Sequence, residues 1–595
     1  MSSSERLQAL RSELTRAELD GFLVPMADEY QSEYVPDSAR RIAFLSGFTG
    51  SSAFMIVLKD KAAFFTDSRY TLQASKQIDL SLFALFDSAQ KTPLAWLKEE
   101  APEGAKIGFD PWLQTQAAIE RYEKEIKDLN EKKGRLTLFP VRANPIDAIW
   151  KDRPAAPTAP IFAHDIAYAG QSAAEKRRLI AIELLKQNHD ACVLTDPASI
   201  AWLLNIRGGD VPNTPLPLSY AIVQKDGRVS WFVAAEKVTK GLDSVLGNDV
   251  ARHRLADFPE ALVKLAQTQG QIRVDPAEAP SAVVNILRMA KANIVCDENP
   301  CLLPKACKNA IEIEGMRAAH RRDGAALVKF LAWIETGSDS TTEIEAEEKL
   351  ESFRATNGLY RGPSFDTIAG AGPHGAIVHY RATPETNARI QPDSLLLLDS
   401  GGQYLDGTTD VTRTIAIGTP TDEMKELYTR VLKGHVALSM IRFPEGTTGA
   451  ALDVLARQYL WAVGRDYGHG TGHGVGCYLG VHEGPQGISK RGTAPLKSGM
   501  VLSNEPGFYK PEAFGIRIEN LLLVTAIPGS DADKPMLGFE TLTLAPYDRR
   551  LIEVSLLTSP ERAWIDSYHE RVRGTLRPQL DPASNAWLDV ATRPL

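Results

Sequence analysis

The chain has 595 residues, 44% of them hydrophobic and 24% charged, with a formal charge of −8. That length exceeds what one core supports and calls for three or four domains of ordinary soluble composition. The acidic balance, without a basic block, excludes a nucleic-acid partner, and no apolar run approaches the roughly 18 residues of a membrane span.

The first segment, MSSSERLQALRSEL, has no apolar core of a secretory leader, so a cytoplasmic address is expected. Next come LDGFLVP near Asp20, RIAFLSGF from Arg41 and SAFMIVL from Ser52. They read as a strand, an aliphatic helix or turn, a glycine turn and a second strand. KDRPAAPTAPIFAH (151–164) is rich in Pro and Ala and reads as a linker. Beyond it the same order returns in HDACVLT, SIAWLLNIRGGD and SYAIVQ, which raises an internal duplication of one α/β unit alongside the plainer reading that such runs are common. DENPCLLPKACKNA (297–310) marks a second boundary. The expected domains are therefore 1–153, 160–303 and 308–595. The five cysteines are odd in number and lack paired C-x-x-C spacing, so plain thiols are expected.

In the last third, helices are predicted over 311–334, 342–356, 422–441 and 449–464, with strand-like runs around Leu395, Val411, Val501 and Ile516. Helices alternating with hairpins predict an antiparallel sheet backed by helices. Each strand-like run adjoins an ionisable residue. SLLLLD ends on Asp399, and after a Gly-Gly pair and Asp-Gly the pattern resumes beside Asp410. A hairpin turn between Tyr404 and Leu405 would set the two aspartates opposite each other. At 4 Å they would repel by about 4 kcal/mol at an effective dielectric of 20, a cost that a cation removes; alternatively one Asp caps a turn. Glu505 and Glu519 follow the apolar runs MVLSN and GIRI, where a buried glutamate needs a partner or a metal. Arg517, two residues before Glu519, admits a simple surface ion pair instead.

Eight of the eleven histidines follow residue 310, and His469, His473 and His482 fall within fourteen residues. The alternate glycines of YGHGTGHGVG permit a tight backbone path that brings these rings against another surface. Together Asp399, Asp410, His473, Glu505 and Glu519 form a hard, oxygen-rich set that suits Mn²⁺, Co²⁺ or Fe²⁺. Two ions sharing such ligands can hold a water as hydroxide and attack an amide. GAGPHG (370–375) fits a dinucleotide fingerprint, but AIVHYR after it reads as a strand rather than a helix; GTGHGVG lacks the Lys-Ser/Thr ending of a phosphate loop. Neither is a nucleotide site.

These motifs resemble the peptidase family that includes methionine aminopeptidase, prolidase and aminopeptidase P, with its pita-bread fold. The ligand order Asp, Asp, His, Glu, Glu, with the first two eleven residues apart, is complete. HGTGHGVG, VHEGP, NEPG and GIRIEN look most like the aminopeptidase P branch, and TDSRYTLQA, DPASIAWLLNIRG and DYGHGTGHG extend the likeness along nearly the whole chain. The resemblance implies two creatinase-like α/β domains before a pita-bread catalytic domain, and an enzyme that hydrolyses the Xaa-Pro bond at a peptide's N-terminus. It implies two Mn²⁺ ions, with Co²⁺, Fe²⁺ or Zn²⁺ as substitutes, bridged by Asp410 and Glu519. Glu505 becomes the general base, His379 a group near the leaving nitrogen, and His482 the residue that steadies the scissile carbonyl. His469 and Arg517 shape the site, and Arg69 reaches substrate from the first domain. A homodimer is compatible with the family. The rivals are a prolidase acting on dipeptides and an inactive, peptidase-like binding module; the intact ligand set argues against the second.

Overall fold

The computed structural model describes residues 1–130, 136–337, 341–529 and 533–595. The chain divides into two units, one of residues 1–164 with 171–302 and one of residues 165–170 with 303–595.

The first unit holds two six-stranded sheets. In one, Gly21–Pro25 pairs antiparallel with Phe54–Leu58 and parallel with Lys106–Phe109. Ala62–Thr66 and Ala84–Asp87 extend one side, Thr137–Pro140 the other. In the second sheet Ala191–Leu194 takes the place of Gly21–Pro25, antiparallel to Tyr220–Gln224 and parallel to Gln271–Val274. Strand order and strand directions agree throughout the two sheets. The sequence RIAFLS forms the short helix Arg41–Ser46, closed by Gly47 at φ +81°, a conformation that glycine adopts without strain. Its counterpart Pro197–Leu204 is started by Asp196, whose carboxylate accepts the backbone N–H groups of Ala198 and Ser199.

The long helix Ala310–Gly337 belongs to the second unit. Asn309 caps it: its side-chain oxygen accepts from the N–H groups of Ile311 and Glu312, while the Glu312 carboxylate accepts from the Asn309 N–H. The helices Glu343–Arg354, Asp422–Met440 and Gly449–Trp461 fall within a few residues of expectation. The four consecutive leucines of SLLLLD form the strand Ser394–Ser400 with both faces covered. Leu396 and Leu398 pack with Leu327, Phe330 and Leu350 of two helices, whereas Leu395 packs with Leu427, Tyr428 and Val431 of a third. Alternation along the strand then sends Asp399 to the side of Leu395 and Leu397.

This strand lies between Ile368–Ala371 and Val411–Ile417, antiparallel to both. A larger antiparallel sheet runs Phe443–Pro444, Met536–Thr541, Asn520–Ala526, Val501–Asn504, Gly472–Gly474 and Glu483–Ile488. The expected antiparallel sheet backed by helices is thus present.

Two local expectations are corrected. Asp399 pairs with Thr412 rather than Asp410, because the hairpin turns at Leu405–Asp406, one residue later than expected. Gly407 pins that turn: a Cβ there would lie 3.0 Å from the Ala319 side chain of the long helix. The two-residue shift keeps the face, since 410 and 412 point the same way. AIVHYR begins on the last residue of the 3₁₀ helix Gly372–Ala376 and continues as a turn, not a strand. Among the described residues no helix is long and apolar enough to cross a membrane, and all five cysteines are free thiols.

Candidate metal centre

The sheet pairing brings five residues together from separate stretches of chain. Asn504 faces Asn520 across antiparallel strands, which sets Glu505 and Glu519 side by side just beyond the ladder. The Glu505 N–H is held by the Thr471 carbonyl at 2.7 Å, and the Glu519 N–H by the Thr412 carbonyl at 3.1 Å. His473 sits on the neighbouring strand, where its Nε2 lies 3.5 Å from both Asp410 Oδ2 and Glu505 Oε1. One ligand atom each from Asp410, His473 and Glu519 lies within 4.8 Å of the others.

The glycines of HGTGHGVG are needed for close packing, not for unusual dihedrals. None of Gly470, Gly472, Gly474 and Gly476 has positive φ. A Cβ on Gly472 would lie 1.9 Å from the Ser503 carbonyl oxygen, and one on Gly474 2.2 Å from that of Glu483. Larger residues would push the His473 strand away from Glu505.

The electrostatics are those of a cluster short of positive charge. Asp399, Glu505 and Glu519 are all raised, first by burial and further by the neighbouring carboxylates. Burial lowers the His473 imidazole, but its hydrogen bond to Asp410 and the charges of Glu505 and Asp410 outweigh that and raise it to about 9. Arg517, 1% exposed, donates to Asp399 Oδ2 at 2.6 Å, while Asp399 Oδ1 is buried with no hydrogen-bond partner. The surface-pair reading of Glu519 and Arg517 fails, since Glu519 is only 2% exposed and Arg517 serves Asp399. Three buried carboxylates, one of them with an orphaned oxygen, a fourth that is half-buried and one imidazole fit divalent ions better than they fit each other.

Around this cluster the His482 ring meets that of His473 edge-on, centroids 4.3 Å apart. The His469 Nε2 and Arg517 Nη1 both contact the Tyr509 hydroxyl, at 2.8 and 2.7 Å, and His469 Nδ1 is 3.9 Å from Glu505. His379 is half-buried and precedes Tyr380, which packs with Leu397, Ile368 and Tyr509. Arg69 belongs to the first unit, where both ends of its guanidinium are taken by Asp67 at 2.8 and 2.7 Å.

Sequence reasoning missed Tyr509, two hydroxyls and one backbone carbonyl. Thr412 Oγ1 donates to Glu519 Oε2 at 2.8 Å, and Ser503 Oγ donates to Glu505 Oε1 at 3.1 Å. Thr471 carries the carbonyl that holds Glu505. A period-two rule would have found Thr412 and Ser503, each two residues from a ligand and hence on its face.

Comparison with known proteins places this geometry. A probable Xaa-Pro aminopeptidase P of Laccaria bicolor is 40% identical over 622 aligned positions, covering 100% of this chain and 94% of the relative. The chain belongs to the Xaa-Pro aminopeptidase P family. Aminopeptidase P2 of Arabidopsis thaliana is 39% identical over 97% of this chain and 86% of its own length. Within this family chain, residues 314–526 match metallopeptidase family M24 and 535–595 the C-terminal region of that peptidase. Residues 6–136 and 152–312 each match a creatinase/prolidase N-terminal domain. The X-prolyl aminopeptidase of Caenorhabditis elegans, described as a cytosolic enzyme with a di-nuclear active site, superposes with a TM-score of 0.95 at 35% identity, covering both chains completely. A Xaa-Pro dipeptidase from Bacillus anthracis matches 63% of this chain and 99% of its own, at 26% identity and a TM-score of 0.52. The fold is therefore that of two creatinase-like α/β domains followed by a pita-bread domain.

Proposed function

We propose that this protein is a metal-dependent aminopeptidase that hydrolyses the first peptide bond of chains with proline in second position. The observation that carries the proposal is the convergence of Asp399, Asp410, His473, Glu505 and Glu519 in one largely buried cluster, in a chain related over its full length to Xaa-Pro aminopeptidases. These five residues would hold two divalent ions, Mn²⁺ in the first instance, with Asp410 and Glu519 shared between them. Co²⁺, Fe²⁺ and Zn²⁺ are the alternatives that the donor set admits. When bound, the ion pair supplies a Lewis acid for the scissile carbonyl and lowers the pKa of water.

The protein's own groups divide the remaining work. Glu505, raised by burial, is suited to accept a proton from the attacking water as its oxygen bonds to the carbonyl carbon. An Xaa-Pro bond is a tertiary amide without an N–H, so its nitrogen leaves only after gaining a proton; His379 is the residue assigned to that side. His482, edge-on to His473, is assigned to the carbonyl oxygen as negative charge builds there. Arg517 holds the ligand Asp399, and His469, joined to Arg517 through the Tyr509 hydroxyl, faces Glu505. Arg69 is assigned to substrate on its TDSRY motif alone. The division into 1–153, 160–303 and 308–595 is proposed on the same footing, supported by the two separately hydrogen-bonded sheets of the first unit. A cytoplasmic address is supported by the nematode relative's description.

The test is release of the N-terminal residue from an X-Pro-Xaa tripeptide by chelated protein, with and without added Mn²⁺. Metal-dependent release supports the proposal. Release from X-Pro dipeptides alone would make the protein a prolidase, and no release under any metal would leave a binding module with a peptidase fold.

A further inference from the structure

The segment carrying His379 has no ladder of its own. Between the 3₁₀ helix Gly372–Ala376 and the strand Ser394–Ser400 there is neither helix nor strand. A segment of this length without regular structure holds a side chain in place only if something anchors it. At the front the anchor is steric: a Cβ on Gly515, in the strand that carries Arg517, would lie 1.7 Å from the Gly375 carbonyl oxygen. The rest of the segment is gathered by one carboxylate.

That carboxylate is Glu343, the first residue of the helix Glu343–Arg354 and 0% exposed. Its Oε1 accepts the Ala371 N–H at 2.8 Å and faces His374 Nδ1 at 2.8 Å. Its Oε2 accepts the Tyr380 hydroxyl at 2.8 Å and the Ala388 N–H at 2.9 Å. The Glu343 N–H in turn donates to the Ala388 carbonyl at 3.0 Å. Four groups spread over residues 371–388 thus converge on two oxygens, and one of them, Tyr380, is the residue after His379. The Tyr380 ring stacks on His374 with centroids 4.3 Å apart and packs beside Leu397 and Tyr509. Only a carboxylate matches this pattern, because a carboxamide would turn an NH₂ towards two donors.

We propose that Glu343 is a positioning residue for the reaction: it sets the path of residues 371–388 and, through Tyr380, the place of the His379 ring. The inference rests on the reading of His379 as a group on the leaving-nitrogen side. It predicts that Glu343→Gln acts through His379. Misplacing a reacting group by an ångström lowers rate by about 10²-fold, and loss of a supporting contact around a site typically costs about 10–100-fold.

A double-mutant cycle on the metal-loaded protein decides the matter. Expected are a kcat loss of about 10–100-fold in Glu343→Gln, wild-type metal content, and a further loss below about threefold when Glu343→Gln is added to His379→Ala. Amide exchange over 371–388 should quicken in Glu343→Gln and not in His379→Ala. Equal losses in both backgrounds, or loss of metal alongside activity, would overturn the inference while leaving the role of His379 standing. An unchanged kcat in His379→Ala alone would defeat the reading of His379 first, and the inference with it. Should Glu343→Gln fold poorly, Tyr380→Phe removes one of the four donors and must show the same non-additivity with His379→Ala at smaller amplitude; additive behaviour there also overturns it.

Discussion

Two buried polar clusters share the strand ends of the second unit, and they are built on opposite principles. Along these ends neighbouring residues go to different sides: Glu505, Glu519 and Thr412 to the ligand cluster, and Asn504, Asn520 and Arg413 to a second network. In the ligand cluster four carboxylates face one guanidinium and one imidazole, and burial raises Asp399, Glu505 and Glu519. In the other network one cation is surrounded by neutral dipoles. Arg413 donates to the carbonyls of Thr412, Glu519, Ala545 and Pro546, to Asn520 Oδ1 and to the Tyr568 hydroxyl. There His435 and His569 are pushed down to about 3, by burial first and then by Arg413. One cluster calls for positive charge and the other repels it. Burial of polar groups therefore does not mark a site by itself; buried groups unable to neutralise one another do.

The strongest break in this contrast is Asp410→Ala. It removes a ligand from the cluster while leaving the Arg413 network whole. Bound metal and peptidase activity should both be lost, activity by on the order of 10³-fold, given the several kcal/mol that a metal contributes to a transition state. The unfolding midpoint of the chelated protein should hold or rise, because one of the repelling carboxylates is gone. Metal analysis, rate assays and urea titration check the three parts, and full activity in metal-replete Asp410→Ala would refute the ligand role.

A smaller effect separates the clusters by pH. A group depressed in the folded state contributes stability above its unfolded pKa and loses it as pH falls towards the folded value. For His435 and His569 that window runs from 6.5 down to about 3. Across this range the two imidazoles should therefore lower the urea midpoint of chelated protein, against the raised carboxyls, which act the other way. In His569→Gln, which keeps an acceptor for the Tyr547 N–H, the fall should be shallower. Identical pH profiles for the two proteins would remove His569 from the account.

How much of this was legible in the sequence follows from the range of each signal. SLLLLD, LSNEPG and GIRIEN announced buried strands ending on carboxylates, because periodicity and burial are local. The Asp399 register was misplaced by two residues because Gly407 meets Ala319 of a distant helix, a contact that no turn rule contains. Thr412 and Tyr509 were overlooked since each acts across strands, on Glu519 and on Arg517, whereas Ser503 lies two residues from Glu505 and was within reach of a period-two rule. AIVHYR read as a strand because it is an apolar run; it turns instead, with its Tyr380 hydroxyl held by Glu343 of a separate helix, a contact outside the range of any local pattern. The glycines of HGTGHGVG were read as permitting a tight path against another surface, and their service is that close approach, without positive φ.

Glu347 gives the mildest and most pointed test of the contrast, because it is a half-buried carboxyl outside both clusters. It lies one turn beyond Glu343 on the same helix, and its Oε1 has no hydrogen-bond partner. Burial, and after it the charge of Glu343, raises it to about 8; the Ala369 N–H and Arg381 oppose the shift, while Asp366 adds to it. A carboxyl raised in the folded state contributes stability that is complete below its unfolded value of 4.5 and is lost as pH rises through about 8. Glu347→Gln, which keeps the shape without the charge, should match the wild type at pH 5 and exceed it at pH 9, by about 2–4 °C in Tm. A constant difference at both pH values would mean that Glu347 holds no proton in the folded protein. Partial burial beside Glu343 and Arg381 would then be too weak to shift this carboxyl, and the raised ligand carboxylates would owe more of their shifts to one another than to the interior.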